Sequence, residues 1–270
     1  ASGIGPGETL QQHGITVCHA LAGVGQNLQD HVTVCAKFSV KHARTVNDCS
    51  HGFFAQARMF IEYFVYGTGP LASAPAPFGT LARTDQNEPL ANLLFRVQPY
   101  AFDDATGTMG GSAAFTVEVT NLRPSSTGVV TLKSLDADAS ASVAPNYFDT
   151  DDDQAMAVKA LRMARSIAAQ PALERLEVGE VYPGPTVETA EDLMSAAVNG
   201  AASTGDWCGT CAMGQGEQAV VDHRLRLHGI EGLRVVDASI MPTIPAGCLA
   251  APTLMIAERA AAMVHEDWKA

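Results

Sequence analysis

Basic residues are scarce in this chain of 270 amino acids. Lys and Arg number 17 against 29 Asp and Glu, which gives a formal net charge of −12 at pH 7. Nucleic acids and anionic membranes attract clustered positive charge, so this balance argues against both as partners. No apolar run approaches the roughly 20 residues that a membrane helix needs, and we expect no secretory leader. Hydrophobic residues still make up 47% of the sequence, which predicts a packed core and not a disordered chain.

Cysteine is sparse as well, and its sparseness excludes a disulfide scaffold. The six cysteines are Cys18, Cys35, Cys49, Cys208, Cys211 and Cys248. We expect reduced, mostly buried thiols that pack as small hydrophobic residues. Reduced thiols indicate a reducing compartment, with a plastid among the options.

One pair of cysteines stands in a motif that resembles the thioredoxin active site, at 207–211 (Trp-Cys-Gly-Thr-Cys). In that site the motif follows a buried strand, and a helix N-terminus lowers the pKa of one thiol. Here the polar, turn-rich segment 199–205 precedes it, so disulfide exchange is a minor hypothesis. A single CxxC without a second ligand pair predicts no zinc site. The acidic run at 151–153 is interpreted as a solvated helix cap and not as a metal cluster.

Alternation of apolar and polar residues predicts strands in the middle of the chain. The pattern covers residues 32–40, 93–98 and 115–120, and a further strand is expected at 129–133. Together these segments predict an antiparallel sheet with one covered face.

Helices are expected on both sides of a C-terminal strand and loop region. The first begins after Thr150, the second at Thr189 with a capping box three residues on, and the third after Pro252. One face of the third helix carries Leu254, Ala257, Ala261 and Val264. A short buried strand is predicted at 233–237. The fold class is therefore mixed (α+β), and ends that differ in kind from the middle indicate one domain interrupted by another.

The sequence lacks a complete glycine motif for binding a dinucleotide. Gly3-x-Gly5 is followed by Glu8 where the third glycine belongs, and Gly23-x-Gly25 is followed by Leu28. Neither follows a predicted strand, so each is read as a turn.

Three stretches, in their order and spacing, resemble the second half of the glucose–methanol–choline (GMC) family of FAD oxidoreductases. The first is 2–6 together with 23–31 (Gly-Val-Gly-Gln-Asn-Leu-Gln-Asp-His), the second is 209–214 (Gly-Thr-Cys-Ala-Met-Gly), and the third is 220–222 with 232–242, running on to 251–253. The run 122–124, Gly128 and 145–147 is similar to the substrate domain of the family.

The resemblance implies FAD as cofactor and oxidation of the CH–OH group of a small-molecule donor by hydride transfer to the flavin. It implies an interrupted α/β flavin domain from segments 1–31 and 205–270, and a substrate domain from 32–204 with an antiparallel sheet covered by helices. The GxGxxG segment of the family would precede residue 1. We therefore expect the N-terminal half of the flavin domain as a missing partner, and a chain that alone binds FAD weakly and is inactive.

The resemblance also implies cofactor-binding residues. Asn27 would donate hydrogen bonds to the flavin where Gly25 permits close approach, Asp237 and Ala238 suit the ribityl and pyrophosphate region, and the helix after Pro252 would aim its N–H groups at the flavin pyrimidine. The predicted set is Gly25, Asn27, Leu28, Asp237, Ala238, Pro252 and Thr253.

The catalytic pattern of the family is altered here. Alcohol-oxidising members carry a His about three residues before the Gly-Thr-Cys run, and that position is Asp206. A second His or Asn falls on Ala250, and Cys248 stands where members often have Asn. We take Asp206 and Cys248 as the candidate catalytic residues. A buried carboxylate can take over the role of base; alternatively, Asp206 is a loop residue in an inactive site.

A third reading comes from the fatty-acid photodecarboxylase branch of the family, which also lacks both residues. Its substrate arginine matches Arg96, which can hold a carboxylate through two parallel hydrogen bonds. Its cysteine falls on Ala76. The sequence therefore predicts an FAD-dependent alcohol oxidoreductase, with a photodecarboxylase-like enzyme or an inactive scaffold as alternatives.

Overall fold

A computed structural model of the chain describes residues 2–50, 52–103, 106–136 and 138–269. The ends of the predicted segments 1–31 and 205–270, at residues 1 and 270, lie outside this range. The strands of the described part are β1 (Ile4–Gly5), β2 (His19–Ala20), β3 (Val32–Ser39), β4 (Phe78–Ala82), β5 (Leu93–Gln98), β6 (Ala114–Asn121), β7 (Val129–Thr131), β8 (Ser142–Ala144), β9 (Gly179–Tyr182) and β10 (Ala202–Ser203).

The α-helices of the described residues are α1 (Gly7–Gln12), α2 (Val46–Ser50), α3 (Phe53–Tyr66), α4 (Asp151–Ala168), α5 (Ala190–Asn199) and α6 (Ala250–Lys269). Within the described ranges, none of these helices combines the length and the apolar character needed to cross a membrane. The predicted mixed fold, with an antiparallel sheet and helices, is confirmed.

The chain divides into two compact units. The first contains residues 1–32, 122–153 and 203–270, and the second contains 33–121 and 154–202. The assignment of chain segments to a flavin domain and a substrate domain stays a prediction.

The second unit is built on an antiparallel sheet in which β3, β6, β5 and β4 lie side by side and β9 also pairs with β3. Ala36 and Val97 both pair with Val117 of β6, so the apolar residues of adjacent strands share one buried face. The opposite face of β3 is buried too, because Thr33 and Lys37 are covered. The alternation of apolar and polar residues therefore predicted β3 correctly. It also predicted one exposed face, whereas residues on both faces of the strand are buried.

The strand expected at 129–133 is real but belongs elsewhere. As β7 it pairs with β8 in a two-stranded sheet of the first unit. The strand predicted at 233–237 is wrong, since in the described residues this segment makes only an isolated bridge from Arg234 to Arg226. Leu233 and Val236 are exposed. The two backbone hydrogen bonds of this bridge, from Leu227 N–H to the Leu233 carbonyl and from Val235 N–H to the Leu225 carbonyl, do not continue into the ladder that defines a strand.

Helix caps follow the sequence more closely. Thr189 accepts a hydrogen bond from the Asp192 backbone N–H at 3.1 Å, which confirms the cap at the start of α5. The Asp192 carboxylate accepts from the Thr189 hydroxyl at 2.7 Å and not from its backbone N–H, as a full capping box requires. Thr150 likewise accepts from the Asp153 N–H at 3.3 Å before α4. The acidic run is not fully solvated, however. The carboxylate of Asp153 is buried and accepts hydrogen bonds from the backbone N–H groups of Ser125 and Ser126.

Helix α6 has two apolar faces, and only one is covered in the described part of the chain. Ile256, Ala260 and Met263 are buried in the core of the first unit. The face named from the sequence points outward, with Leu254 69% exposed and Val264 and Trp268 also exposed. Spacing alone identifies an apolar stripe but does not say which of two stripes the core takes.

The burial of the central sheet gives a stability prediction for the second unit. Phe95 on β5 is 2% exposed, and Phe54 on α3 is 86% exposed. Phe95→Ala removes a core ring and leaves a cavity, so we expect a loss of about 3–5 kcal/mol in the free energy of unfolding. Denaturant titration followed by circular dichroism measures it. The matched variant Phe54→Ala should lie within about 0.5 kcal/mol of the unchanged protein, and equal losses for both would contradict this packing.

Candidate active site

The loop that carries Asp206 is paired with the segment that precedes β3. The Gln29 N–H donates to the Cys208 carbonyl at 3.0 Å and the Cys208 N–H donates back at 2.9 Å, while the Thr204 N–H donates to the His31 carbonyl at 3.0 Å. All of these residues belong to the first unit. The backbone on both sides of Asp206 is therefore fixed by residues 29–31.

Side chains of the same segment hold a third loop. The Gln29 amide donates to the Pro242 carbonyl at 3.1 Å and accepts from the Ile244 N–H at 3.1 Å. The Asn27 amide nitrogen donates to the carbonyls of Gly209 and Pro242 at 3.3 and 3.2 Å. Both amide hydrogens of Asn27 are thus engaged within the protein, which leaves its backbone for any contact with a flavin.

Asp30 is a buried carboxylate, 5% exposed, on which three donors converge. Its Oδ2 accepts hydrogen bonds from the Tyr147 hydroxyl at 2.5 Å, the Ser203 hydroxyl at 2.5 Å and the Trp207 indole N–H at 2.9 Å. Burial, followed by the hydrogen bond to Asp30, raises the pKa of Tyr147 above its ordinary value. Three donors on one oxygen stabilise a charge that would otherwise be costly to bury.

Asp206 lies at the entry to α6. Its Oδ1 accepts from the Leu249 N–H at 3.3 Å, one residue before the helix begins, and its Oδ2 accepts from the Thr204 hydroxyl at 3.2 Å. The side chain retains 21% exposure, and His31 Nδ1 lies 3.5 Å from Oδ2. A carboxylate at a helix N-terminus is electrostatically favoured. The Asp206 side chain is therefore held at the start of α6 and stays partly accessible.

Cys248 and Ala250 stand on either side of Leu249. Cys248 is free and exposed, and Ala250 is the first residue of α6. The expectation of mostly buried thiols is wrong, since of the six cysteines only Cys208 is buried and Cys18 is exposed as well. Burial, together with the charges of Asp30 and Asp206, raises the pKa of Cys208 to about 12. A thiol that stays protonated at neutral pH cannot act as the nucleophile of disulfide exchange.

Two glycines allow close backbone contacts around the predicted cofactor residues. A Cβ on Gly25 (φ +81°) would lie 2.2 Å from the Val130 carbonyl oxygen, and one on Gly209 (φ +93°) would lie 2.2 Å from that of Asn27. Leu28 is buried in the core. A cavity of about 280 Å³ lies beside Gly25 and is lined in part by Pro6, Val130 and Thr210. Its volume suits a part of a dinucleotide and not the whole.

The remaining predicted cofactor residues lie around the start of α6. Asp237 accepts a hydrogen bond from the Ser239 N–H at 2.8 Å and so caps a 3₁₀ turn at Ala238–Ile240. Pro252 is the third residue of α6, and the Thr253 N–H already donates to the Leu249 carbonyl. Only the N–H groups that precede Pro252 are left at this helix end for a ligand.

Arg96 lies in the second unit, apart from the unit that holds the other candidates. On the sheet face opposite Phe95 it pairs with Glu118, with 3.3 Å between Nη2 and Oε2, and Gly79 is its register partner on β4. The Arg96 Nε is buried and has no hydrogen-bond partner among the described residues. The positive charge of Arg96 is therefore partly offset by Glu118, while its Nε–H remains without an acceptor in the described residues.

Sequence reasoning missed the roles of Gln29, Asp30, His31 and Trp207. The sequence feature that could have indicated the first three is the polar run 29–31 directly before an apolar strand. Polar side chains are seldom buried there unless they form hydrogen bonds or ion pairs. Nothing in the sequence indicated which segments they bind, because their partners lie more than 100 residues away.

Known proteins resemble this chain over nearly its whole length. Residues 124–257 match the family model described as GMC oxidoreductase. The oxygen-dependent choline dehydrogenase of Chromohalobacter salexigens is 36% identical over 260 residues, which are 96% of this chain and 46% of that protein. The corresponding enzyme of Serratia proteamaculans is 36% identical over 265 residues, or 98% and 48%.

Solved structures give the same result. Pyridoxine 4-oxidase from Mesorbium loti superposes with a TM-score of 0.81 at 25% identity, over 98% of this chain and 48% of that one. An R554K variant of the formate oxidase of Aspergillus oryzae RIB40, studied for FAD modification, superposes with a TM-score of 0.87 at 25% identity, over 99% and 51%. The chain thus spans about half the length of the relatives it matches.

The burial of Cys208 gives a reactivity prediction. With a pKa of about 12, only about 10⁻⁴ of this thiol is ionised at pH 8. Ellman's reagent should therefore label Cys18 and Cys248 in the folded chain and leave Cys208 unlabelled until the pH rises towards 12. Cys208→Ser should leave the fast labelling unchanged and Cys248→Ser should reduce it; a fast phase lost in Cys208→Ser would contradict the burial.

Proposed function

Because the chain belongs to the GMC oxidoreductase family and corresponds to its C-terminal portion, we propose that it forms part of an FAD-dependent enzyme that oxidises the CH–OH group of a small-molecule donor. The observation that carries this proposal is the anchored carboxylate of Asp206 at the entry to α6. By the resemblance of the sequence, this is the position at which alcohol-oxidising members would carry their base.

FAD is the cofactor of this family. When bound, it accepts the hydride that leaves the donor carbon. In this chain we propose that Gly25, Asn27 and Leu28 form one wall of its site, with contacts from backbone and not from the engaged Asn27 amide. We propose that Asp237, Ala238, Pro252 and Thr253 form a second wall. The partial cavity beside Gly25 and the free N–H groups before Pro252 support this arrangement.

Asp206 is proposed to accept the hydroxyl proton of the donor. Its two hydrogen bonds, to the Leu249 N–H and the Thr204 hydroxyl, hold the carboxylate in one orientation, and its remaining exposure leaves it accessible to a donor. An accepting group must lie within hydrogen-bond reach of the proton that it takes. Cys248, exposed and next to Leu249, is proposed to line the same site.

The donor is proposed to be a small alcohol. Two relatives are named for the alcohols choline and pyridoxine and support this class, whereas a third is named for formate, which is a carboxylate. Arg96 is proposed to contact a donor carboxylate through the exposed part of its guanidinium, since its side chain as a whole is 41% exposed. Photodecarboxylation is not favoured, since residue 76 is alanine where that branch carries cysteine.

The partner of this chain is proposed to be a polypeptide segment equivalent to the half of the relatives that the 270 residues do not match. The exposed apolar face of α6, with Leu254, Val264 and Trp268, supports this proposal, because a soluble chain seldom leaves such a stripe uncovered. The GxGxxG cradle would come from that segment.

The role of Asp206 is tested by Asp206→Asn in the flavin-loaded, full-length protein. Asparagine keeps the size and an acceptor oxygen but cannot take the proton, so we expect flavin reduction by the donor to slow by about 10²-fold or more. Stopped-flow absorbance measures it. The matched variant Asp192→Asn, at the exposed cap of α5, should reduce flavin at the unchanged rate. An unchanged rate in Asp206→Asn would identify Asp206 as a loop residue.

The partner proposal predicts how flavin is retained. The 270-residue chain alone should carry no stoichiometric flavin after gel filtration, whereas a protein of the full length of the relatives should. In the full-length protein, Leu254→Lys should lower the flavin content because it charges the covered stripe, and Glu191→Lys on the exposed surface of α5 should not. Absorbance near 450 nm reads the content, and a stable yellow complex of the chain alone would overturn the proposal.

A further inference from the structure

His31 is a buried histidine that the proposed function does not use. It is 1% exposed, and its Nδ1 lies 3.5 Å from Asp206 Oδ2. Its Nε2 is buried and has no hydrogen-bond partner among the described residues. A buried imidazole with one polar neighbour and one orphaned nitrogen needs an explanation.

The surroundings of the ring select one tautomer. A neutral imidazole carries a single N–H, and its other nitrogen is a bare acceptor. A proton on Nε2 would be buried without an acceptor and would turn the Nδ1 lone pair towards a carboxylate, which costs free energy twice. A proton on Nδ1 faces the negative Oδ2 instead. Of the two neutral tautomers, the one with its proton on Nδ1 therefore fits these surroundings.

His31 also reaches the loop of Asp206 through its backbone. Its carbonyl oxygen accepts the Thr204 N–H at 3.0 Å, and the Thr204 hydroxyl donates to the same Oδ2. One residue therefore acts on Oδ2 directly through its ring and indirectly through Thr204. Asp30, the other carboxylate of this region, has three donors on its Oδ2, whereas the ion-pair contact of the His31 ring is with Asp206.

We propose that His31 is a positioning residue for Asp206, with its Nδ1–H directed at Oδ2 to hold the carboxylate in the orientation that accepts the donor proton. This inference rests on the proposed function, because that function gives Asp206 the proton. In the step, the O–H bond of the donor breaks and an O–H bond to Asp206 forms. The ring of His31 keeps its own proton throughout. The separation of 3.5 Å is longer than a hydrogen bond, so in this structure the interaction is electrostatic.

The first test reads the ring directly in the unmodified chain. Nitrogen-15 NMR of the histidine rings should show His31 protonated on Nδ1 and bare on Nε2. Asp206→Ala removes the selecting charge and should shift the His31 ring signals, while those of His228, whose Nε2 contacts the Gly214 carbonyl, should stay in place. A His31 ring protonated on Nε2, or one that is indifferent to Asp206→Ala, would overturn the proposal.

The second test separates positioning from packing in the flavin-loaded, full-length protein. His31→Leu fills the space but has no donor, and we expect flavin reduction to slow by about 10-fold. His31→Asn places an amide N–H near the position of Nδ1 and should recover part of that loss. Thermal unfolding of both variants serves as the packing control. If the rates of flavin reduction fall in parallel with the melting temperatures, and His31→Asn is no faster than His31→Leu, then His31 has a structural role only.

The two proposals fail in different ways. If Asp206→Asn leaves flavin reduction unchanged, the assignment of the base is wrong, and the ring signals still report whether His31 and Asp206 interact. If Asp206→Asn slows the reaction and His31→Leu does not, the base is retained and the positioning role is overturned.

Discussion

The carboxylate of Asp30 is buried, and its burial is tolerated because three donors from distant parts of the chain converge on it. Tyr147, Ser203 and Trp207 lie 117 to 177 residues away along the chain. Removal of one donor leaves a buried charge less compensated, which is more costly than the loss of an ordinary surface contact. Ser203 and Trp207 bracket Asp206, so the requirement to satisfy Asp30 also fixes the loop of the candidate base.

The residues on either side of Asp30 extend this constraint. Gln29 binds the backbone at Pro242 and Ile244, in the loop that leads towards α6, and His31 binds Thr204. Three loops that are remote in sequence are thereby assembled on one short segment. A site assembled on fixed backbone keeps its polar groups in place without relying on flexible side chains. The cost is that the segment itself tolerates little change.

Local signals in the sequence predicted local structure well, and long-range partners poorly. Thr189 and Asp192 lie within one turn, so their cap followed from the sequence. Segment 233–237 has the composition of a strand, but in the described residues its pairing with 225–227 is limited to the single bridge between Arg226 and Arg234. Asp153 was expected in solvent. Its backbone donors, Ser125 and Ser126, lie 28 and 27 residues earlier in the chain, so the local sequence did not indicate that its carboxylate is buried. The family resemblance identified Asp206 as a candidate from the sequence. The side chains that surround it, including His31, could be identified only from the folded structure.

Helix α6 begins next to the candidate base, Asp206, and carries the exposed apolar face with Leu254. The Leu249 N–H that binds Asp206 lies at the entry to this helix, so any rotation or shift of α6 moves a hydrogen bond of the carboxylate. The inner face of the helix is anchored by Ile256, Ala260 and Met263, while Leu254, one turn from the entry, is exposed. A helix that packs on one side only has fewer contacts to oppose fraying of its first turn. Coverage of the outer face would therefore stabilise the same turn that orients Asp206, so docking of the proposed partner segment would be coupled to the geometry of the proposed proton transfer.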